Sequence, residues 1–471
     1  MVMWNIINQN KMALLDHNGA GISYGQLAEK VGEFGSIIAD DSSVKPLIIN
    51  ICTNTIPCIV GYISFIENGY TVMMIPDTLP LKKYQEIINN YRPDYIYVPE
   101  THILTAHIAD NSGCRKKILG YMNYVLYSTR SADNDICKIN DSLALLLSTS
   151  GTTGSSKMVR ISYKNIESNT VSIIKSLGIE RDDAAITSLP CSYTYGLSVI
   201  NTHIYVGATI LVTDYKVADR RFWDFFTSKG GTSFAAVAYT YRMLMRMGFH
   251  KWSLPTLNKM TQAGEKLNGT VYEYLTNMSE SKHIRFQPMY GQTEATARIA
   301  VMPYVDGYKV LKEKAGSVGK VIEGGEIIIS DKDENGCGRI IYCGENVTMG
   351  YAYGRESLGN ADERNGRLDT GDYGYVDKEG FLYICGRKDR YVKYAGKRIE
   401  LSELECELEK EFQIELNVNY IDGIFEINMI EECNEIVGYM HDTYGIGKDC
   451  VKINVLETGC HLINYNGKLN S

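Results

Sequence analysis

An apolar run from Leu143 to Leu147 opens directly into Ser148-Thr149-Ser150-Gly151-Thr152-Thr153-Gly154-Ser155-Ser156-Lys157. Glycines and hydroxyls in that density suit neither helix nor strand, so the pattern reads as a buried strand that ends in a loop. Gly151 and Gly154 let the backbone turn and bring its N–H groups close to an anion. Hydroxyls of Thr149, Ser150, Thr152 and Thr153 add neutral donors, and Lys157 adds a mobile charge. That inventory suits a triphosphate. A G-x-x-x-x-G-K-[ST] loop is excluded by spacing, because its second glycine would fall on Ser156 and Lys157 is followed by Met158. Taken alone, the stretch has a plainer alternative as a solvated Ser/Gly linker, and the rest of the chain decides.

A chain of 471 residues is too long for one compact domain and implies two or three. Lys+Arg 48 against Asp+Glu 56 gives a net charge of −8, which disfavours general binding to nucleic acid. The 12 cysteines form no C-x-x-C pair and the 8 histidines no metal-spaced cluster. They read as small buried hydrophobes in a reducing compartment, with no structural metal. The N-terminus lacks a charged segment followed by an apolar core, and the greasiest stretch, Cys58 to Ile66, stops at Glu67-Asn68-Gly69. The expectation is a cytoplasmic protein with no membrane span.

Through about residue 390, short β-branched runs alternate with helical patterns. Pro46–Cys52, Thr71–Ile75, Ala185–Leu189, Ala208–Val212 and Thr232–Val237 read as strands, and Ile56–Ile66 as a helix. Alternation of this kind predicts an α/β fold with helix-covered sheets. From Gly316 the texture changes to short strands broken by turn residues, predicting a mainly antiparallel, barrel-like segment at about 316–386. An amphipathic helix is expected from Ser402 to Lys410, within a small α+β domain at 389–471. The large domain then occupies 1–388.

Four further segments carry chemistry-bearing residues. In Gln287-Pro288-Met289-Tyr290-Gly291-Gln292-Thr293-Glu294, Tyr290 offers a flat ring, Thr293 a hydroxyl and Glu294 a carboxylate suited to Mg²⁺. Asp372, in Asp369-Thr370-Gly371-Asp372, can accept two hydrogen bonds from a ribose diol. A charged run extends from Gly386 to Glu405, and Asn466-Gly467-Lys468 places a lysine on a turn. Each has a plain alternative: a turn, a loop, a solvated helix face, a hairpin.

In their order and spacing, from Ile22-Ser23-Tyr24-Gly25-Gln26-Leu27 to Lys468, these segments resemble the adenylate-forming superfamily. That superfamily includes acyl-CoA synthetases, adenylation domains of nonribosomal peptide synthetases, D-alanine:carrier-protein ligases and luciferases. The resemblance implies a large N-terminal domain and a small, mobile C-terminal one. It implies that Thr149 to Lys157 cover the ATP phosphates and that Gly264-Glu265 line the adenine pocket. Tyr290 would stack on adenine, Thr293 contact the α-phosphate and Glu294 hold Mg²⁺. Asp372 and Arg387 would bind the ribose, and Asp389 would be the hinge. Lys468 would bridge the acyl carboxylate and the α-phosphate, and Gly396 would sit on the face used for thiol transfer. Asp369, Ala238 and the terminal Asn470-Ser471 depart from the family pattern, and the small domain is short.

The resemblance also bears on substrate. Tyr193 stands where acyl and aryl ligases often have histidine. Gly196 stands where amino-acid-activating members carry an aspartate for the α-ammonium. A buried ammonium without a counter-charge is costly, so a non-amino acyl or aryl carboxylic acid is expected. Gly396-Lys397-Arg398-Ile399-Glu400-Leu401 is closer to carrier-protein-loading members than to CoA ligases. The expected acceptor is therefore phosphopantetheine on an acyl or peptidyl carrier protein, with free CoA as the alternative. A luciferase-like oxygenase would share the adenylation motifs. A non-catalytic adenylate-binding module would be expected to have lost Lys468 or Glu294.

Overall fold

The structure is a computed structural model and describes residues 4, 10–41, 44–110, 116–129, 137–148, 157–304, 307–334, 336–387, 391–394, 397–421 and 423–456. The chain divides into two compact units: Met1–Ile327 with Tyr342–Leu368, and Ile328–Ile341 with Asp369–Ser471. The fold is α/β, and this partition divides the antiparallel segment, leaving 316–327 and 342–368 with the large unit and grouping 328–341 and 369–386 with the C-terminal residues. The boundary expected at 388/389, including the hinge residue Asp389, lies outside the described residues.

Among the described residues the first unit is built on two sheets. One has nine strands, in the order Lys320–Val321, Ala300–Val301, Arg285–Tyr290, Lys259–Gln262, Ser233–Ala236, Ala184–Ile186, Thr209–Val212, Met12–Asp16, Gly21–Ser23. Its six strands from Arg285–Tyr290 to Met12–Asp16 are parallel. The other has eight, in the order Gly350–Ala352, Met158–Ser162, Leu143–Leu147, Thr71–Pro76, Leu47–Cys52, Tyr95–Pro99, Tyr124–Ser128, Lys116–Tyr121. Leu143–Leu147 is buried at every position, as a strand covered on both faces must be. The helix Ile56–Glu67 is apolar nearly all round and correspondingly buried. It shares one core with Phe34, Leu145, Ile200 and Ile210, so both sheets pack on common side chains.

Local chemistry sets the ends of these elements. The helix Tyr163–Leu177 starts at a capping box, Ser162 with Asn165, and stops at Gly178 in the left-handed conformation. That fixes the strand Met158–Ser162, and with it the position of Lys157. Among the described residues no helix is long and apolar enough to cross a membrane.

The second unit contains Asp372 and Arg387 on neighbouring antiparallel strands, Arg367–Val376 and Leu382–Arg387. Farther on, the helix Leu401–Phe412 packs Leu404 and Leu408 on the sheet of Leu416–Ile421, Ile424–Met429 and Val451–Val455. Glu405 is buried there, accepting from Asn417 Nδ2 at 2.9 Å and the Val418 amide at 2.7 Å. It organises its own domain's core.

Candidate active site

Two segments far apart in sequence converge on one tyrosine. Strand Met158–Ser162 pairs antiparallel with Gly350–Ala352, and Val159 lies opposite Tyr351. Side chains alternate along a strand, so Lys157 shares Val159's face and reaches Tyr351 diagonally. Its Nζ sits 3.6 Å from the centre of the Tyr351 ring, a cation–π contact. The Arg364 guanidinium lies 4.7 Å from the same ring centre. The Tyr351 hydroxyl donates to Glu294 Oε1 at 2.9 Å. Burial and the neighbouring Glu294 push this phenol up to about 12, so it remains a donor at neutral pH.

Glu294 sits on a single turn, Thr293–Ala295, immediately after the parallel strand Arg285–Tyr290. Its carbonyl accepts from the Thr348 amide at 3.0 Å, and Arg364 Nη1 donates to Thr348 Oγ1 at 2.6 Å. A cation, a carboxylate and a second cation are thereby fixed around one aromatic ring. Tyr351 and Arg364 were not singled out from sequence. Nothing in their local sequence marks them; the register against Val159 does, and register is a long-range property.

The carboxyl ends of parallel strands in open α/β sheets are where ligands bind, and the expected adenine residues lie there. Gln262 is opposite Pro288, which places Gly264 just beyond one strand end and Tyr290 at the end of its neighbour. Gly264 has φ +94°, and a Cβ on it would stand 2.7 Å from Tyr193 Oη. Glu265 is half-buried, which raises its carboxyl above the ordinary range against the Tyr239 amide and Arg242. Tyr290 is half-buried against Ala295, Ile299 and Tyr342, and Thr293 is buried.

Around the expected acid pocket the fold adds neighbours that the sequence does not show. Tyr193 caps the helix Thr194–Val206 without a side-chain hydrogen bond. Gly196 is not an opened space: a Cβ there would stand 2.3 Å from the Pro190 carbonyl oxygen. The cavity instead opens beside Tyr195, Ser198, Thr261, Gln287 and Arg298. Tyr195 shares a hydroxyl bond of 2.7 Å with Thr261. Arg298 is 2% exposed, 4.0 Å above the Tyr195 ring. It donates to the Ala297 carbonyl at 2.9 Å, to Met289 Sδ at 3.2 Å and to Ser198 Oγ at 3.4 Å. Among the described residues no carboxylate pairs with it. Burial lowers its pKa, and the Tyr195 and Tyr193 rings act the other way. At the far end of the cavity, Lys259 pairs with buried Asp183 at 2.7 Å beside His203.

In the second unit Asp372 and Arg387 face each other across the ladder, with Arg387 Nε donating to Asp372 Oδ1 at 2.8 Å. Asp372 is buried and Arg387 partly open. Asp369, a departure from the family pattern, pairs with Arg339 at 3.2 Å. Thr149, Ser150, Gly151, Thr152, Thr153, Gly154, Asp389, Gly396 and Lys468 lie outside the described residues.

Comparison with known proteins adds to this geometry. A family model described as AMP-binding enzyme matches residues 7–352. A 2-succinylbenzoate–CoA ligase from Listeria innocua is 27% identical over 59% of this chain and 57% of its own length. One from Bacillus cereus is 30% identical over 55% of this chain and 53% of its own. One from Oceanobacillus iheyensis is 26% identical over 74% and 70%. The chain thus spans little more than half the length of the first two relatives it matches. Among solved structures, O-succinylbenzoate coenzyme A synthetase (MenE) from Bacillus subtilis, in complex with AMP, superposes with TM-score 0.73. Its identity is 20%, over 95% of this chain and 92% of that one. ATP-bound MatB from Rhodopseudomonas palustris gives TM-score 0.76 at 20% identity, over 96% and 94%. At such identity these likenesses establish the fold.

Proposed function

This chain belongs to the AMP-binding enzyme family, and from that premise we propose that it is an ATP-dependent, AMP-forming acid–thiol ligase. The observation that carries this reading is the convergence at Tyr351. The lysine that follows the Ser/Thr/Gly loop and the carboxylate of Glu294 meet on one side chain.

The chemistry needs that arrangement. A carboxylate oxygen attacks the α-phosphorus of ATP, and the bond to the bridging oxygen of pyrophosphate breaks. A thiolate then attacks the acyl carbon, and AMP leaves. Both steps depend on charge neutralisation and alignment rather than on a protein nucleophile. Lys157 and the residues Thr149 to Gly154 hold the β- and γ-phosphates. Tyr290 and Gly264-Glu265 hold the adenine, Thr293 the α-phosphate, and Asp372 with Arg387 the ribose. Among the described residues Tyr351 is the one donor to the Glu294 carboxylate, whose remaining lone pairs suit a hard cation. Mg²⁺ bound there would supply charge neutralisation for the triphosphate. Lys468 acts in adenylation, and rotation of the C-terminal domain about Asp389 exchanges it for the Gly396 face in thiol transfer.

The acid is a non-amino carboxylic acid. Buried, positively charged Arg298 beside the cavity supports this better than Gly196 does, because it repels an α-ammonium and attracts an anion. The names of the relatives put 2-succinylbenzoate first among candidates. They also support CoA as the acceptor, a change from the carrier protein expected from the Gly396 motif. Pyrophosphate release is to be measured with 2-succinylbenzoate, simpler aryl and fatty acids, and matched α-amino acids. CoA and a phosphopantetheinylated carrier protein serve as acceptors. Acid-dependent release, stronger without the amino group and followed by CoA thioester, is expected. Release that ignores the acid would overturn the ligase reading. Preference for an amino acid would overturn the substrate reading, and faster loading of the carrier protein would overturn the choice of acceptor.

A further inference from the structure

Three cysteines that sequence leaves unrelated meet in the core of the first unit. Cys52 ends the strand Leu47–Cys52, Cys58 lies in the first turn of the helix Ile56–Glu67, and Cys191 precedes the helix Thr194–Val206. Their sulfur atoms all lie within 4.8 Å of one another, and Cys58 Sγ is 3.7 Å from Cys191 Sγ. Their exposures are 5%, 0% and 2%. Three sulfurs around one ion, each at a bond length of about 2.3 Å, stand roughly 3.8–4.0 Å apart. The thiols are therefore spaced as ligands of a common ion, and a small contraction completes the set.

The surroundings specify what kind of ion. Met74 Sδ is 3.9 Å from Cys52 Sγ. Asn50 Oδ1 is 3.6 Å from Cys58 Sγ, and the Thr53 carbonyl 3.4 Å from Cys191 Sγ. Among the described residues no imidazole or carboxylate joins the group. Thiolate and thioether donors without nitrogen or carboxylate select soft ions over Mg²⁺, Ca²⁺ or Mn²⁺. Burial works against ionisation of Cys58, and hydrogen bonds from Cys191, Cys52, the Thr53 backbone and Tyr124 lower its pKa. Cys52 and Cys191 are raised, Cys52 chiefly by burial. A soft cation that binds here displaces thiol protons as it does so.

We propose that Cys52, Cys58 and Cys191 form a binding site for one soft d¹⁰ metal ion, of the Cu(I), Zn(II) or Cd(II) class. The site joins the two sheets, since Cys52 belongs to the eight-stranded one and Cys191 to the segment leaving the nine-stranded one. That segment is already tied across by Asn54, which donates to the Leu189 carbonyl at 3.1 Å and accepts from the Cys191 amide at 3.1 Å. It carries Tyr193, so an ion here clamps the wall beside Gly264 without entering the nucleotide site. The inference stands independently of the ligase reading.

The test uses the full chain, reduced, freed of metal and kept anaerobic. Titration with Cd²⁺ should raise a sulfur-to-metal charge-transfer band that saturates at a single equivalent and increases the thermal midpoint. Competition with Zn²⁺ and with chelated Cu(I) then identifies the preferred ion. Cys58→Ala and Cys191→Ala should each lose the band, while Cys433→Ser, outside the cluster, should keep it. Circular dichroism of the metal-free variants separates loss of a ligand from loss of fold, and Cys58→Ser, the smaller change in volume, should also lose the band. No saturable band in the parent chain, or an equal band in folded Cys58 and Cys191 variants, would overturn the proposal.

Discussion

Arg160 and Arg298 are both buried in the first unit, and they are buried in opposite ways. Arg160 is 0% exposed, and its guanidinium is saturated. It donates to the carbonyls of Met349 at 2.9 Å, Tyr351 at 3.1 Å, Asn360 at 2.8 Å and Ala361 at 3.2 Å. It also pairs with Glu363 at 2.7 Å. Arg298 has one carbonyl, a thioether, a long hydroxyl contact and a ring face. Desolvating a guanidinium is costly unless its donors are met. The saturated arginine holds the strand that bears Tyr351. The under-met one borders a cavity, where a ligand would complete it.

The comparison breaks most sharply on stability. Arg160→Ala leaves several carbonyls and Glu363 without their donor, and should cost about 3–5 kcal/mol. Urea unfolding measures it, and a loss below about 1 kcal/mol would remove the distinction.

A pH series probes the other region. His203, buried at the far end of the Arg298 cavity with Asp183 and Lys259 facing it, is pushed down to about 4, chiefly by burial. The unfolded chain takes up this proton at its ordinary value near 6.5. Between those values the unfolded state binds more protons, so stability falls as pH drops from about 6.5 towards 4, by about 3 kcal/mol at most. His203→Asn should flatten this window in denaturant midpoints. An unchanged slope would assign the acid sensitivity elsewhere.

Arg298→Met should do the reverse of Arg160→Ala. Stability should move by about 1 kcal/mol or less, while KM for the acid rises roughly 10- to 100-fold, the equivalent of one charged hydrogen bond. Matched kinetics and unfolding decide it: a stability loss as large as that of the Arg160 variant would make Arg298 structural too.

The smallest effect is expected at the bridge between motifs. Tyr351→Phe removes one hydroxyl from Glu294 and leaves the ring under Lys157. Pyrophosphate release should slow about three- to ten-fold, with a raised Mg²⁺ requirement, as for one neutral donor lost. An undisturbed Mg²⁺ dependence would detach Tyr351 from the site.

Much of this was legible in the chain. Leu143–Leu147 and Thr71–Pro76 announced themselves as continuous apolar runs, and Ile56–Glu67 as an apolar helix, because burial on all sides leaves no room for a polar position. Lys157, Tyr290, Glu294 and Asp372 were singled out because a triphosphate, a nucleobase, a divalent cation and a ribose diol each call for such side chains. Tyr351, Arg364 and Arg298 were not, since their roles come from register and crossing rather than from neighbours in sequence. The cysteines were read as inert for the same reason: Cys58 and Cys191 are joined only by the packing of two sheets. Gly196 was read as a position without the aspartate of amino-acid-activating members, and its closeness to the Pro190 backbone emerges only from the fold.

That contact at Gly196 has a consequence for how such an enzyme can change. A side chain at this position would strike a main-chain carbonyl, which cannot swing aside as a flexible side chain would. Installing an acid to recruit amino acids is therefore not one mutational step away. A library varied at position 196 alone should yield only damaged proteins, whereas variation of 189–191 together with 196 opens the route. The substrate preference proposed above would be guarded by the path of the backbone itself, and drift at single positions would leave it in place.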